Sequence, residues 1–319
     1  MIRWGIIGAG NIAHRFAGSL AATEKGSLYA VANRTLEKAR AFQLEHPCEK
    51  IYDDYEELLR DNNVDIVYIA LPHLYHAQWI KRAIVHGKAV LCEKPATLDL
   101  KQMLEIDMLL KENQVFFMEA MKSRFVPAYQ KMSSLIKEGL IGEITNISTS
   151  FCRLVPEENS GYYYQPIQGG CLLDMGIYNA SLIEDFTTEP LSLQQVDYQM
   201  HTSGVEVYVN AVLANDHVTC QLESGFDRNL PVEAVITGTK GKIVMPDFHR
   251  GSSITISLNQ NKEGAKNYDI PYHQDDFYGE IVHVMDCFSK GEVESSVMSR
   301  QASVNCAEMI DQIKKKLSY

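Results

Sequence analysis

Three short segments of this sequence carry residue types that could bind or transform a ligand. The first is Gly8-Ala9-Gly10-Asn11-Ile12-Ala13, which directly follows an apolar run at Ile2–Ile7. In this GxGxxG/A pattern Gly8 permits a tight turn, Gly10 lets the backbone approach a diphosphate, and Ala13 allows close helix–strand packing. The N–H groups of the helix that follows would point at the diphosphate. The pattern predicts a dinucleotide site with contacts at Gly8, Gly10, Asn11 and Ile12; a purely structural glycine-rich turn is the alternative.

The other two segments lie where predicted parallel strands end. Leu71-Pro72 and the nearby His76 follow the apolar run that ends at Ala70, and Glu93-Lys94-Pro95 follows the run that ends at Cys92. Open α/β sheets bind their ligands at the carboxyl ends of such strands. We therefore expect cofactor contacts from Leu71, Pro72, His76, Glu93 and Lys94. Each segment could instead be a surface turn. His76 could line the nicotinamide end of the dinucleotide or cap the helix after it.

The end of the second predicted strand bears on the choice of dinucleotide. The segment Val31-Ala32-Asn33-Arg34-Thr35 has no Asp or Glu where NAD sites place an acid on the adenosine ribose. Arg34 can stack on adenine and pair with a 2′-phosphate. We therefore predict contacts from Asn33 and Arg34, with NADP as the preferred cofactor and NAD as the alternative. An exposed arginine that opens the next helix would be the structural interpretation.

Two kinds of sheet must position these segments. Short apolar runs alternate with amphipathic segments in the first 120 residues, which indicates βαβ units around a buried parallel sheet. The predicted strands are Ile2–Ile7, Leu28–Ala32, Ile66–Ala70, Ala89–Cys92 and Val115–Met118, and the predicted helices include Leu36–Leu44, Tyr55–Leu59 and His76–Val85.

The second half of the chain has partly alternating strands, which indicates a largely antiparallel sheet with one buried face. Its predicted strands are Gly142–Phe151, Val205–Leu213, Thr219–Glu223, Glu233–Thr237, Lys242–Met245 and Ser253–Leu258, and its predicted helices are Pro127–Lys137, Leu173–Phe186, Asp276–Ser289 and Ser299–Leu317. We predict an α/β protein with a doubly wound Rossmann domain at residues 1–121 and an α+β substrate-binding and oligomerisation domain, built on a large open sheet, at residues 122–319.

Composition narrows the class of protein. The net charge of −11 argues against nucleic acid as the main partner, because phosphate binding needs clustered Lys and Arg. Seven scattered cysteines without a CxxC pair favour reduced thiols, and the sequence has neither a leader pattern nor a membrane-length apolar run. We expect a cytoplasmic protein without membrane contacts. The ten histidines show no HxxxH spacing, so we expect no metal site.

Taken together, these motifs resemble the Gfo/Idh/MocA family of oxidoreductases. The segment Gly169–Tyr178, GGCLLDMGIY, is similar to the family's GGGALLDxGxY block, and Thr237–Gly241 resembles its late GTKG turn. Met118-Glu119-Ala120, followed by Arg124-Phe125, resembles the dimeric dihydrodiol dehydrogenase and glucose–fructose oxidoreductase-like branch, as does Tyr178. The resemblance covers essentially the whole chain.

The resemblance implies catalytic roles for Lys94, Tyr178 and Asp174. A tyrosine near its usual pKa of about 10 is a poor base, and a neighbouring ammonium would lower that pKa. Tyr178 would then move the proton and Lys94 would tune it, although Lys94 itself could carry the proton. Asp174 could share a helical face with Tyr178 at i,i+4 and orient substrate hydroxyls, or it could only complement a helix dipole. The main premise is that folding brings Lys94 and Tyr178 together.

The same resemblance suggests substrate contacts from Lys122, Arg124, Phe151 and Phe248, and Tyr163, just upstream of the Gly169-Gly170 block, could reach the mouth of the pocket. For the aromatic residues, ordinary sheet packing is the alternative. Lys122 stands where the dihydrodiol dehydrogenases have a tryptophan, which favours a polar sugar or a phosphorylated polyol over an aromatic diol.

The resulting prediction is NAD(P)-dependent hydride transfer between nicotinamide C4 and a CH–OH or carbonyl carbon of a sugar, polyol or trans-dihydrodiol. Two alternatives stay open at this point, an NAD-dependent glycosidase that oxidises its substrate transiently and a non-catalytic nucleotide-sensing regulator. The family also implies a homodimer that associates through the C-terminal sheet.

Overall fold

The computed structural model describes residues 1–159, 161–260 and 264–317, and these form two units. The first unit contains residues 1–121 and 273–304, and the second contains residues 122–272 and those from 305 onward. Residues 273–304 group with the first unit because they bond to its first helix, where Ser19 Oγ donates to Asp275 at 2.8 Å. The functional division into domains 1–121 and 122–319 stays a prediction.

The first unit is built on six parallel strands in the order β3-β2-β1-β4-β5-β6. Strands β4 and β5 are buried along their whole length, as continuous apolar runs predict for a sheet covered on both faces. The strands are β1 Ile2–Ile7, β2 Gly26–Ala32, β3 Lys50–Tyr52, β4 Ile66–Ile69, β5 Ala89–Glu93 and β6 Phe117–Ala120.

Helices connect these strands, and polar side chains set where several of them begin. Asp54 caps α3 by accepting from Glu56 N, and Asp99 caps α5 by accepting from Gln102 N at 2.8 Å. Gln114 directly follows α5 and adopts a left-handed conformation that ends the helix. The helices of this unit are α1 Asn11–Ala21, α2 Leu36–Glu45, α3 Tyr55–Arg60, α4 His76–Val85, α5 Leu100–Asn113 and α8 Tyr278–Ser289, with a 3₁₀ turn at His73–Tyr75.

The second unit is built on an eight-stranded sheet in the order β14-β13-β12-β11-β7-β10-β9-β8. All neighbours are antiparallel except β7 and β10. Burial alternates along β11 and β12, so that one face of the sheet is buried. The strands are β7 Ile144–Cys152, β8 Ser192–Met200, β9 Glu206–Ala214, β10 Thr219–Gly225, β11 Glu233–Gly238, β12 Gly241–Pro246, β13 Ser253–Leu258 and β14 Lys266–Asp269.

Among the described residues, two helices lie within the second unit, and a third begins in the segment 273–304 that groups with the first. Helix α6 starts with a proline at its first position, where a missing N–H costs nothing. The helices are α6 Pro127–Lys137, α7 Ile177–Asp185 and α9 Arg300–Lys314, with 3₁₀ turns at Lys122–Phe125 and Glu157–Asn159 and a π-helical turn at Leu172–Gly176.

The two sheets confirm the predicted fold class. Four elements were not predicted from the sequence, namely β3, β8, β14 and α5. Strand β3 has three residues, too few to show a period, and β8 reads SLQQVDYQM with few apolar residues. The strand predicted at Val115–Met118 lies at Phe117–Ala120 instead. Within the described residues, no helix has the length and apolar character needed to cross a membrane.

Candidate active site

The glycine-rich turn has the geometry that a diphosphate requires. Gly8 has a φ of +101°, and a Cβ at this position would lie 2.4 Å from the Ala70 carbonyl oxygen. A Cβ on Gly10 would meet no atom within 4 Å, so this glycine leaves open space beside the start of α1. No side chain caps that helix, and its first N–H groups are therefore available to an anion.

The first of the two residues predicted at the end of β2, Asn33, supports the glycine turn. Its Oδ1 atom lies 3.4 Å from Ala9 N, and its Nδ2 atom donates to Thr35 O at 3.0 Å. The first contact joins the end of β2 to the glycine turn, and the second is a local bond to the next residue but one. Asn33 therefore holds the turn in shape through its side chain.

A cavity of about 330 Å³ lies beside the second predicted residue, Arg34. The guanidinium lies 5.6 Å from the centroid of the Tyr75 ring, and Tyr55 lines the same cavity. Burial raises the pKa of Tyr55, which keeps its phenol neutral. The lining residues are Arg34, Asp53, Asp54, Tyr55, Leu71, Pro72, Tyr75, Gln78 and Trp79. An aromatic cavity with one guanidinium fits an adenosine and its phosphate.

His76 links the two strand-end loops. It is fully buried, with Nε2 2.6 Å from Leu71 O and Nδ1 2.8 Å from Pro95 O. Helix α4 has no side-chain cap, so the predicted capping role of His76 is wrong: both ring nitrogens face carbonyl oxygens instead. Burial lowers the pKa of His76 despite these two acceptors. The ring therefore lies between the two loops, and in its neutral form one of its nitrogens donates to the carbonyl oxygen that it faces.

Buried neighbours fix the loop that carries Lys94, which is itself half-buried. The Glu93 carboxylate accepts a hydrogen bond from the Tyr68 hydroxyl, and Glu119 Oε1 accepts from Ala96 N at 2.9 Å. The Tyr68 ring in turn stacks on Phe16. The Glu93 carboxylate is thus bonded to Tyr68 inside the unit, and the cofactor contact expected of Glu93 stays a prediction. With the His76 bond to Pro95, these contacts hold the backbone on both sides of Lys94.

In the second unit, the block around Asp174 begins with two glycines that have no room for a side chain unless their neighbours shift. A Cβ on Gly169 would lie 2.2 Å from Tyr163 O, and one on Gly170 would lie 2.2 Å from Glu206 Oε1. The next five residues, Leu172–Gly176, form a π-helical turn rather than the start of the predicted α-helix. Asp174 lies in this π turn and Tyr178 in the helix that follows it, so the shared face expected of the two side chains spans the junction and stays a prediction.

The structure brings Asp174 close to Tyr163, another predicted substrate residue. The negative charge of Asp174 is the largest cause that raises the pKa of Tyr163 to about 12, with burial second. Tyr163 therefore keeps its proton at neutral pH and offers a hydroxyl beside a half-buried carboxylate. Such a pair can hydrogen-bond to the hydroxyl groups of a polar ligand.

Tyr178 lies in an aromatic cluster on the buried face of the second sheet. Its ring centroid is 5.9 Å from that of Phe151 and 5.8 Å from that of His249, and Phe151 stacks on His249 at 4.3 Å. The ring centroid of Phe248 lies 6.3 Å from that of Phe151, and Phe248 is fully buried, which favours the packing interpretation for this residue. The sequence patterns missed His249, whose only signal is its position just after β12.

Arg124 is placed differently from the prediction. Its Nε atom donates to Ser181 Oγ at 2.9 Å, and its Nη2 atom donates to Ser181 O and Glu184 Oε2, both at 2.6 Å. Its side chain is only 2% exposed. The guanidinium therefore holds α7, the helix of Tyr178, rather than presenting itself to a substrate. Lys122, the other cation predicted for the pocket, is also buried, with 7% exposure.

Comparison with known proteins identifies the family. Residues 2–121 match the oxidoreductase family with an NAD-binding Rossmann fold, and residues 129–244 match the GFO/IDH/MocA C-terminal domain. The chain belongs to the GFO/IDH/MocA oxidoreductase family. The resemblance seen in the sequence motifs is confirmed.

Members of this family with assigned activities align over the full chain. The trans-1,2-dihydrobenzene-1,2-diol dehydrogenase of Xenopus tropicalis is 31% identical, over 99% of this chain and 98% of its own length. The enzyme of the same name from Mus musculus is 30% identical, over 99% and 97%.

Solved structures are similar over the same span. A 3-ketoreductase from Actinomadura kijaniata, in complex with NADP and TDP-benzene, superposes with a TM-score of 0.88 at 27% identity, over 98% of this chain and 97% of that one. The same reductase is also known as variants with a substituted lysine or a substituted tyrosine, at positions 84 residues apart. An aldose–aldose oxidoreductase from Caulobacter crescentus shares the fold, with a TM-score of 0.89 at 20% identity.

These relatives confirm the predicted class of activity. The chain is an NAD(P)-dependent oxidoreductase that acts on CH–OH groups, and its cofactor is a nicotinamide dinucleotide. The open side of Gly10, the uncapped start of α1 and the cavity beside Arg34 fit that cofactor.

Proposed function

We propose that this GFO/IDH/MocA oxidoreductase moves the proton of its reaction through Tyr178, with Lys94 as the charge that tunes it. The spacing of the two residues carries the proposal: they are 84 positions apart, as are the substituted lysine and tyrosine of the NADP-bound ketoreductase. The anchored loop around Lys94 and the tether on the helix of Tyr178 support it, because catalytic side chains need fixed positions.

The proposed chemistry follows from the two side chains. When bound, the nicotinamide cofactor gives or accepts a hydride at the carbinol carbon. In the direction of reduction the Tyr178 phenol donates its proton to the substrate oxygen, and in oxidation the phenolate takes the proton back. The Lys94 ammonium stabilises the phenolate and attracts the developing charge on the oxygen.

The test is steady-state kinetics with Lys94→Ala and Tyr178→Phe. Removing a positioned acid–base group costs about 10²- to 10⁴-fold, so we expect losses of this size in kcat while NADPH binding changes little. Lys38→Ala, on an exposed lysine, and Tyr164→Phe, whose hydroxyl bonds to Val155 O at 2.8 Å, are matched controls that should keep the wild-type rate. Wild-type turnover in both active-site variants would refute the assignment.

We further propose a carbohydrate-like substrate whose hydroxyl groups are held by Asp174 and Tyr163. The carboxylate accepts hydrogen bonds and the neutral phenol donates one, which suits vicinal hydroxyls. A screen at the NADPH absorbance band against aldoses, polyols, trans-diols and TDP-linked keto sugars tests this class. Asp174→Asn should raise KM for the best polyol more than it raises KM for a diol without further hydroxyls. Net change in NADPH also separates this activity from a glycosidase, whose cofactor recycles.

NADP is the proposed preferred cofactor, because the cavity beside Arg34 offers a guanidinium to a 2′-phosphate. The ketoreductase that binds NADP supports this choice as a relative. A comparison of dissociation constants for NADPH and NADH decides it, with tighter binding of NADPH expected.

A homodimer through the second sheet is proposed from the face opposite the buried one. On this face Tyr208 and Val212 of β9 are half-buried, and their neighbours on β10 include Gln221. A mixed polar and apolar sheet face of this kind suits association with a second copy. Light scattering after size exclusion should give twice the mass of one chain.

A cytoplasmic location is also proposed, since all seven cysteines, each within the described residues, are free thiols rather than disulfides. Cell fractionation tests this proposal.

A further inference from the structure

Two histidines and one glutamate, none of them assigned a role above, meet on the surface of the first unit. His14 belongs to the first turns of α1, while Glu45 ends α2 and His46 follows it. His14 Nδ1 lies 3.2 Å from His46 Nε2 and 3.2 Å from Glu45 Oε2. One ligand atom from each residue lies within 4.8 Å of the other two. The sequence expectation of no metal site considered only spacing along the chain, and this group joins positions that are 32 residues apart.

The distances between these atoms suit a chelated cation. Zinc binds imidazole nitrogen and carboxylate oxygen at about 2.0–2.2 Å, so two ligands at a tetrahedral angle lie roughly 3.3 Å apart. Both measured distances of 3.2 Å match that edge. When both histidines are neutral, His14 Nδ1 can accept a hydrogen bond from His46 or donate one to Glu45, but it cannot do both. A single bound cation would instead accept one lone pair from each of the three residues.

The surroundings hold the two imidazoles in place. Phe42 is buried, and its ring centroid lies 4.5 Å from that of His14 and 4.9 Å from that of His46. The backbone N–H of His46 donates to Phe42 O at 2.8 Å, which closes the last turn of α2. The negative end of the α2 dipole and the Glu45 carboxylate both favour positive charge at this point.

We propose that His14, Glu45 and His46 form a site for a divalent cation of the zinc class, with water in the fourth position. Two imidazoles and one carboxylate are a ligand set that zinc adopts in open sites. The bound cation ties α1, which starts at the glycine turn, to the end of α2. Its role is to brace the two helices, and it takes no part in the reaction at Lys94.

Equilibrium dialysis of the chelator-treated, full-length chain against zinc chloride, followed by elemental analysis, tests the site. We expect one bound zinc per chain, and a rise in the dissociation constant of about tenfold or more in His14→Gln, His46→Gln and Glu45→Gln. Cobalt in place of zinc should give the intense visible absorption of a tetrahedral centre, lost in the same variants.

Two controls should keep the zinc. His217→Gln removes an exposed histidine that pairs with Glu189 alone among the described contacts, and Cys48→Ser removes the nearest thiol in the sequence, which donates to Lys50 O. Glu45 is well exposed, with 66% of its side chain accessible, so Glu45→Gln decides the matter even where a histidine variant folds poorly. Absence of a bound zinc in the wild type, or equal binding by wild type and Glu45→Gln, would overturn the proposal.

Discussion

Replacing Arg34 by alanine separates the two nicotinamide cofactors most directly. Arg34 lines the cavity with its guanidinium 5.6 Å from the Tyr75 ring centroid, and no other Lys or Arg belongs to that lining among the described residues. A 2′-phosphate in that cavity would pair with Arg34, while the ribose hydroxyl of NADH would not. We therefore expect Arg34→Ala to weaken NADPH binding strongly and NADH binding slightly.

The magnitude follows from the exposure of the side chain. A hydrogen bond to a charged group contributes about 1.5–3 kcal/mol net, and water screens an exposed pair toward the lower part of that range. Because Arg34 is exposed, about 1.5–2 kcal/mol is the expected loss. This corresponds to roughly a 10- to 30-fold rise in the dissociation constant for NADPH.

Fluorescence titration of each variant with NADPH and with NADH measures both constants. Asp53→Asn is the matched control, because the Asp53 carboxylate lines the same cavity and would repel a 2′-phosphate. This control should shift preference in the opposite direction, toward NADPH. An Arg34→Ala variant that loses as much affinity for NADH as for NADPH would show that the guanidinium does not bind the 2′-phosphate of NADPH.

Three further perturbations follow from the contacts. Gly8→Ala should destabilise the protein by about 1–3 kcal/mol from backbone strain alone, whereas Gly10→Ala should fold normally and weaken dinucleotide binding. Calorimetry measures the stability of each variant and titration measures its dinucleotide affinity. Equal melting temperatures for the two variants would count against the predicted clash between a Cβ at position 8 and Ala70 O. Folding lowers the pKa of His76, so its contribution to the free energy of unfolding is fully present above the unfolded pKa of about 6.5 and is lost as the pH falls below that value. In urea unfolding, His76→Gln should therefore show a weaker dependence of stability on pH than the wild type. An unchanged dependence would show that His76 is not its source. Arg124→Met should lower stability by roughly 3–5 kcal/mol, since it leaves the mostly buried Glu184 without a partner cation; a raised KM with unaltered unfolding would restore Arg124 to the substrate site.

Much of the fold and the class of activity could be predicted from local pattern. The turn at Gly8 and Gly10 follows from an apolar strand that runs into a glycine fingerprint, and both requirements are met within a dozen residues. Helices α4 and α6 begin and end where their periodic apolar positions predict. Lys94 could be singled out because it follows a strand of a parallel sheet, where ligands bind.

Other parts of the candidate site depend on contacts between distant segments. Asp53, Tyr55 and Trp79 come to Arg34 from different loops and helices, and no local period marks them as a cavity. The sequence marked His76 as polar and close to a loop, but only the structure shows its two carbonyl partners.

The sequence by itself determined the fold class, the glycine turn and the family, because these depend on periodicity and motifs within short stretches of chain. The tertiary structure decided which polar groups have partners. Arg124 hydrogen-bonds to residues of α7, Leu172–Gly176 form a π turn, and His14 lies beside His46. The physical reason is that a buried charge or ring nitrogen must find its partner wherever packing brings one within about 3 Å, and that distance carries no trace in the spacing of residues along the chain.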